Sequence, residues 1–233
     1  MMRKIYNPKL LESYIEKYNL KDICSIEVLK AMELFSYERG EQICTVGEPL
    51  DCMFFLVKGK MKVYTTMENA KSLLLRFYNP LSIVGDMEFL SSYKVRCNVE
   101  SLKESLVIGI KFETLMQYAY DDPKFLRFLN KNIVHKLYTI SNMTSMNLLY
   151  PVENRFASYL LSVNVDEQDS LYRGEIKTSK LTEVATLLGT SYRHLNRTVQ
   201  DFIAKGIIIR EKGFISIKDI EKLKQLSYGN LYE

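Results

Sequence analysis

The chain has 233 residues, 47% apolar and 26% charged, proportions ordinary for a soluble protein with enough material for two modest domains, each with its own core. Its formal charge of +4 permits nucleic-acid binding without demonstrating it. Met1 to Lys4 is basic, but Tyr6, Asn7, Pro8 and Lys9 stand where a secretory signal needs an apolar run, and no stretch approaches the length of a membrane span. A membrane partner is excluded on this reading, and a cytoplasmic protein is expected.

Taken in order, residues up to about Phe35 read as helical, with Leu10, Leu11, Tyr14, Ile15 and Tyr18 on one stripe and Val28, Leu29, Met32 and Phe35 on another. From Tyr37 the texture changes to short apolar runs punctuated by glycine: Gly40, Gly47, Gly59 and Gly85. Met53 to Val57, Met61 to Tyr64 and Leu73 to Phe77 are rich in strand formers. Many short strands at this spacing predict a small antiparallel sandwich or barrel, closed by Phe112 to Tyr120.

Asp121-Asp122-Pro123 then starts a long helix, with acids at its positive end and proline in its first turn. No further proline occurs before Pro151, and Leu126, Leu129, Ile133, Leu137, Ile140 and Met143 or Thr144 repeat every three or four residues, as in the seam of a coiled coil. Pairing two such helices in a homodimer would bury that seam; the bland alternative is an amphipathic helix packed on its own domain. Pro151 is the expected hinge. Val152 to Val163 is another helix, residues 164–174 a polar loop, and Asp219 caps a last helix through Leu226.

Between Thr182 and Ile209 the sequence predicts two short helices joined at Gly189. Val184, Leu187 and Leu188 form the inner stripe of the first, with Thr182 as its N-cap. Thr190 or Ser191 caps the second, whose inner face is Leu195, Val199, Phe202 and Ile203. Its outer face carries Arg193, Asn196, Arg197 and Gln200, with Tyr192 at the edge. Those side chains suit nucleic acid, since Arg reaches the two guanine acceptors and Asn or Gln the donor and acceptor of adenine. Ile207 to Ile209 and Phe214 to Ile217 read as a hairpin wing, placing Arg210 and Lys212 against phosphate. Charge is concentrated here: from Gly189 to Lys218 six basic residues (Arg193, Arg197, Lys205, Arg210, Lys212, Lys218) face two acids (Asp201, Glu211). Contact with a protein instead of DNA stays open at this point.

The stretch TEVATLLGTSYRHLNRTVQDFIAKGIII resembles the winged helix of the CRP/FNR transcription regulators, and GEQICTVGEPLDCMFFLVKGKMKVY with PLSIVGDMEFL resembles the cyclic-nucleotide-binding β-roll that precedes it in that family. The run SYRH is similar to the YeiL-like branch. The resemblance implies an α+β fold: a jelly-roll-like antiparallel β-roll sensor (1–120), a dimerisation helix (121–150) and a winged helix-turn-helix (151–233). It also implies a homodimer on a palindromic operator in double-stranded DNA, a signal received at the roll, and RNA polymerase as a further partner. Tyr192, Arg193 and Arg197 match the three positions with which this family commonly reads DNA. Only Arg197 is the expected type, since Tyr192-Arg193 replaces an Arg-Glu pair, and a different operator from that of the cyclic-AMP receptor protein follows.

For a cyclic nucleotide, the resemblance implies an acid just after Gly85 on the ribose and an Arg followed by a hydroxyl residue on the phosphate. Asp86 follows Gly85, but Arg96 is followed by Cys97-Asn98 and stands out of step. Cyclic AMP is therefore not expected to bind, and the effector is a different small molecule or none. Cys24, Cys44, Cys52 and Cys97 lack the close N-terminal spacing of the family's iron–sulfur branch and read as small buried hydrophobes. Nor do two distant histidines and scattered carboxylates make a catalytic triad, a metal cluster or a phosphate loop, so no enzyme is expected.

Overall fold

The computed structural model describes residues 2–69, 71–91, 93–164, 176–177, 180–211 and 213–232. They form two compact units, Met1–Thr65 with Tyr78–Tyr138, and Thr66–Phe77 with Thr139–Glu233. The chain opens on a strand, β1 (Arg3–Ile5), before helices α1 (Pro8–Lys17) and α2 (Ile26–Lys30). Asn7 caps α1 by accepting from Leu10 N at 3.0 Å, with Pro8 in the first turn, where its missing N–H is not needed. The expected second helical stripe ends early: Phe35 lies in β2 (Glu33–Tyr37), which pairs antiparallel with β1.

The roll continues with β3 (Gln42–Cys44), β4 (Cys52–Lys58), β5 (Met61–Thr66), β6 (Ser72–Tyr78), β7 (Ile83–Val84), α3 (Asp86–Ser91), β8 (Asn98–Ser101), β9 (Ser105–Lys111) and α4 (Phe112–Tyr118). One sheet runs β1-β2-β9-β4-β7 and the other β3-β8-β5-β6. Central strands β4 and β9 are almost wholly apolar because both of their faces are covered. Their register sets Phe55 opposite Ile108 and Met53 opposite Ile110, and these join Leu34, Val57, Ile83, Phe89 and Leu106 in the roll's core.

Helix α5 (Pro123–Leu149) is 27 residues long, about 40 Å at 1.5 Å per residue. Asp122 starts it, its Oδ1 accepting from the N–H groups of Lys124 (2.7 Å) and Phe125 (3.0 Å). The predicted seam divides. Leu129 is 1% exposed, within the roll's own core, and is unavailable to a second chain; Leu126 and Ile133 are half-buried. The inward stripe is instead Phe125, Leu129, Asn132, Lys136, Thr139, Met143 and Met146, a strict 3.5-residue repeat with polar side chains at its centre. Val134, Leu137, Tyr138 and Ile140 point out and are 41–68% exposed.

Past Pro151 come α6 (Val152–Asn164), β10 (Ile176–Lys177), α7 (Leu181–Leu187), α8 (Tyr192–Ala204), β11 (Ile208–Glu211), β12 (Phe214–Ile217) and α9 (Ile220–Ser227). Most of the expected polar loop lies outside the described residues. Thr182 sits inside α7 and does not cap it; the cap position is Lys180, whose side chain makes no capping hydrogen bond. The wing has a third strand that the periodicity did not reveal, β10 on the outer side of β12. Asp219 caps α9 through Lys222 N at 3.0 Å.

Candidate nucleic-acid interface and effector site

Helix α8 is held from below by its apolar stripe. Leu195, Thr198, Val199 and Phe202 are buried, and the Phe202 ring lies 5.7 Å from that of Phe156 on α6. Gly189, at φ +61°, makes the reversal after α7; Gly189 N–H donates to Thr186 O at 3.0 Å and Thr190 N–H to Ala185 O at 2.9 Å. The Arg155 guanidinium of α6 donates to Leu188 O, tying the turn to the body of the domain. Of the two candidate caps Ser191 acts, its Oγ accepting from His194 N at 3.1 Å and so starting the helix.

This leaves the opposite face free. Tyr192, Arg193, Arg197 and Gln200 are exposed and Asn196 half-buried. Arg193 and Arg197 lie one turn apart, about 6 Å along the axis. A helix of about 10–12 Å diameter fits a B-DNA major groove about 12 Å wide. Arg210 is exposed on β11, opposite Ile215, while Lys212 lies outside the described residues. Of the basic residues in this segment, Lys205 is taken by Asp201 at 2.6 Å. Arg193, Arg197 and Arg210 form no ion pair among the described residues.

The effector candidates differ in their surroundings. Gly85, at φ +95°, forms the turn before α3, and a Cβ there would meet Cys52 O at 2.8 Å. Asp86 is 1% exposed, whereas Arg96 is exposed to solvent. The partner of Asp86 is Lys136 of α5, with Nζ 2.6 and 2.8 Å from the two carboxylate oxygens and 2.9 Å from Ile83 O, over the Tyr78 ring at 5.3 Å. Burial opposes the charge on Lys136, but Tyr78 and Asp86 more than offset it, and its pKa lies above the ordinary lysine value. Burial pushes the nearby Glu88 carboxyl up. Sequence reasoning missed Lys136; the available signal was a lysine in step with the apolar Leu129 and Ile133.

The residues present do not fit either group that the fold implies. A cyclic nucleotide would find the Asp86 carboxylate already bound by Lys136, and Arg96 exposed to solvent instead of buried with it. Burial pushes the Cys24 and Cys44 thiols up to about 12 and that of Cys52 to about 11, against the thiolate an iron–sulfur cluster requires. Among the described residues no three His, Cys, Asp or Glu side chains converge as metal ligands.

A cyclic nucleotide-binding domain model matches residues 34–121, and a Crp-like helix-turn-helix domain model matches residues 154–226, covering the roll and the capped α7–α8 pair with its wing. The chain belongs to the CRP/FNR family. Among CRP/FNR proteins, Regulatory protein YeiL of Escherichia coli O157:H7 is 26% identical over 207 residues, 89% of this chain and 91% of YeiL, in keeping with the SYRH resemblance. A CRP-like cAMP-activated global transcriptional regulator of Mycobacterium tuberculosis is 23% identical over 197 residues, 83% of this chain and 88% of that protein. In fold, a crp/fnr-family regulator from Eubacterium rectale ATCC 33656 superposes with a TM-score of 0.77 at 16% identity, covering 93% of this chain and 99% of its own. A CRP-family regulator from Thermus thermophilus gives 0.69 at 19%, covering 85% and 98%. Among the described residues of this CRP/FNR chain no helix is long and apolar enough to cross a membrane.

Proposed function

We propose that this chain is a sequence-specific DNA-binding transcription regulator, acting as a homodimer on a palindromic operator, by binding rather than by catalysis. The observation that carries the reading is α8: a Ser191-capped helix whose Leu195–Val199–Phe202 stripe is buried while Arg193, Arg197 and Gln200 stand exposed on the other side. Desolvating unpaired guanidinium groups is costly unless an acceptor replaces water, and guanine O6/N7 and phosphate oxygens are such acceptors. Arg193 and Arg197 specify bases, Arg210 and Lys212 position the wing on phosphate, and Ser191 supports the helix. The outward α5 face of Val134, Leu137, Tyr138 and Ile140 is the pairing surface, because an apolar patch of this kind left in water is an aggregation liability. Two recognition helices on one face of DNA then read half-sites with centres about one helical turn, near 10 base pairs, apart or a multiple of it. RNA polymerase is the partner through which bound dimer changes transcription.

Selection from random DNA with the full chain tests this. An enriched palindrome whose half-sites show this spacing is expected. Failure to enrich any motif, with a folded dimer in hand, sinks the DNA reading and brings forward a winged helix that contacts protein.

A further inference from the structure

Deep in the first unit the roll presents an arrangement suited to one kind of ligand. Two carboxylate oxygens of Asp86 and the carbonyl of Ile83 converge within 2.6–2.9 Å of a single nitrogen, and the Tyr78 ring covers it at 5.3 Å. A carboxylate and a carbonyl accept the N–H bonds of an ammonium group, and an aromatic face attracts its charge. The Asp86 side chain is 2% exposed and that of Lys136 13%, so both charges are largely out of water and each depends on the other. Lys136 reaches the site from the middle of α5, within one turn of the exposed Val134, Leu137 and Tyr138.

We propose that the Asp86 site is an ammonium-binding site whose occupant is the chain's own Lys136, so that the long helix, and not a diffusible cyclic nucleotide, is the ligand of the roll. An anionic phosphate entering there would have to displace Lys136 and face the buried Asp86 carboxylate. Because the bond fixes how far α5 is rotated about its axis, it also fixes the direction in which the pairing face points. Turning the helix by one residue position, about 100°, would carry Lys136 away from Asp86. Lys136 is thus a tethered effector that sets the register of the dimer helix. Only this last step rests on the DNA-binding reading; the ammonium site itself does not.

Chemical rescue tests the site without DNA. Lys136→Ala removes the atoms of propylammonium, so propylammonium chloride should raise the melting temperature of that variant saturably. Equal sodium chloride or tetramethylammonium, which has no N–H donor, should not, and Lys136→Ala with Asp86→Asn should not respond to any of the three. Absence of an amine-specific rise in the single variant, or an equal rise in the double one, overturns the proposal. Should Lys136→Ala fail to fold, Lys136→Met, Asp86→Asn and their combination form a cycle: a combined variant no less stable than the worse single one supports the pair, and additive losses reject it. For the regulatory step the probe is a duplex selected by the wild-type protein. Its affinity should be unmoved by cyclic AMP or cyclic GMP, fall at least tenfold in Lys136→Ala and recover with propylammonium. Wild-type affinity that rises with either nucleotide, or a folded Lys136→Ala binding within twofold of wild type, overturns the tethered-effector role. If no duplex is selected while amine rescue holds, the DNA reading fails and the ammonium site stands.

Discussion

Helices α8 and α5 are amphipathic in opposite senses. On α8 the apolar side chains Leu195, Val199 and Phe202 are inside and Arg193, Arg197 and Gln200 outside, as in any helix on the surface of a domain. In the middle of α5 the inward positions are Asn132, Lys136 and Thr139, while Val134, Leu137, Tyr138 and Ile140 face out. An inward polar stripe is tolerable only where each member has a partner, and here Asn132 Nδ2 donates to Phe128 O at 2.9 Å and Lys136 binds Asp86. An outward apolar stripe is stable only when something covers it. On the proposed reading each helix exposes the chemistry of its partner: acceptors on nucleic acid for α8, a second apolar helix for α5.

The largest expected effect comes from making α5 ordinary. Val134→Glu with Leu137→Glu places charges on the outward face without touching the buried stripe, and should give folded single chains by light scattering. Operator affinity should fall by about 10²–10⁴, because each half-site is then bound without its tethered neighbour. A retained dimer mass at micromolar concentration would move the interface elsewhere. Next comes the outer face of α8: Arg197→Ala should cost about 1–3 kcal/mol in binding and relax the preference at one base pair in each half-site. An unchanged motif and affinity in a random-DNA selection would show that α8 is not the reading element.

Smaller effects separate support from contact. Ser191→Ala removes the cap on His194 N and should lower stability by about 1 kcal/mol in denaturant titration while the selected motif stays the same. A changed motif would instead place the hydroxyl on a base. Arg210→Ala should weaken binding evenly across sequences and reduce the slope of log affinity against log salt by about one for each phosphate left without its arginine. A sequence-dependent loss would make the wing a reader.

The winged helix was legible in the chain because its signals are local. A hydroxyl cap at Ser191, a positive-φ glycine at Gly189 and a 3.6-residue apolar period all act within a few residues of one another, and α8 starts where those signals put it, while α7 starts two residues early. Glycine punctuation likewise marked the roll, although β1 and β10 went unseen because three- and two-residue strands carry no period of their own. The seam of α5 was read in part onto the inward face, for Leu137 and Ile140 point out while Leu129 lies in the roll's core, and the reason is physical. Hydropathy assigns a lysine to solvent unless its charge is met by a partner, and the partner of Lys136 is Asp86, 50 residues earlier in the chain. Sequence alone determined that α5 is long and begins at Asp121-Asp122-Pro123. Which side of it turns inward was decided only by the tertiary fold, because only the folded roll brings a buried carboxylate to the one position where a lysine can be the inward residue.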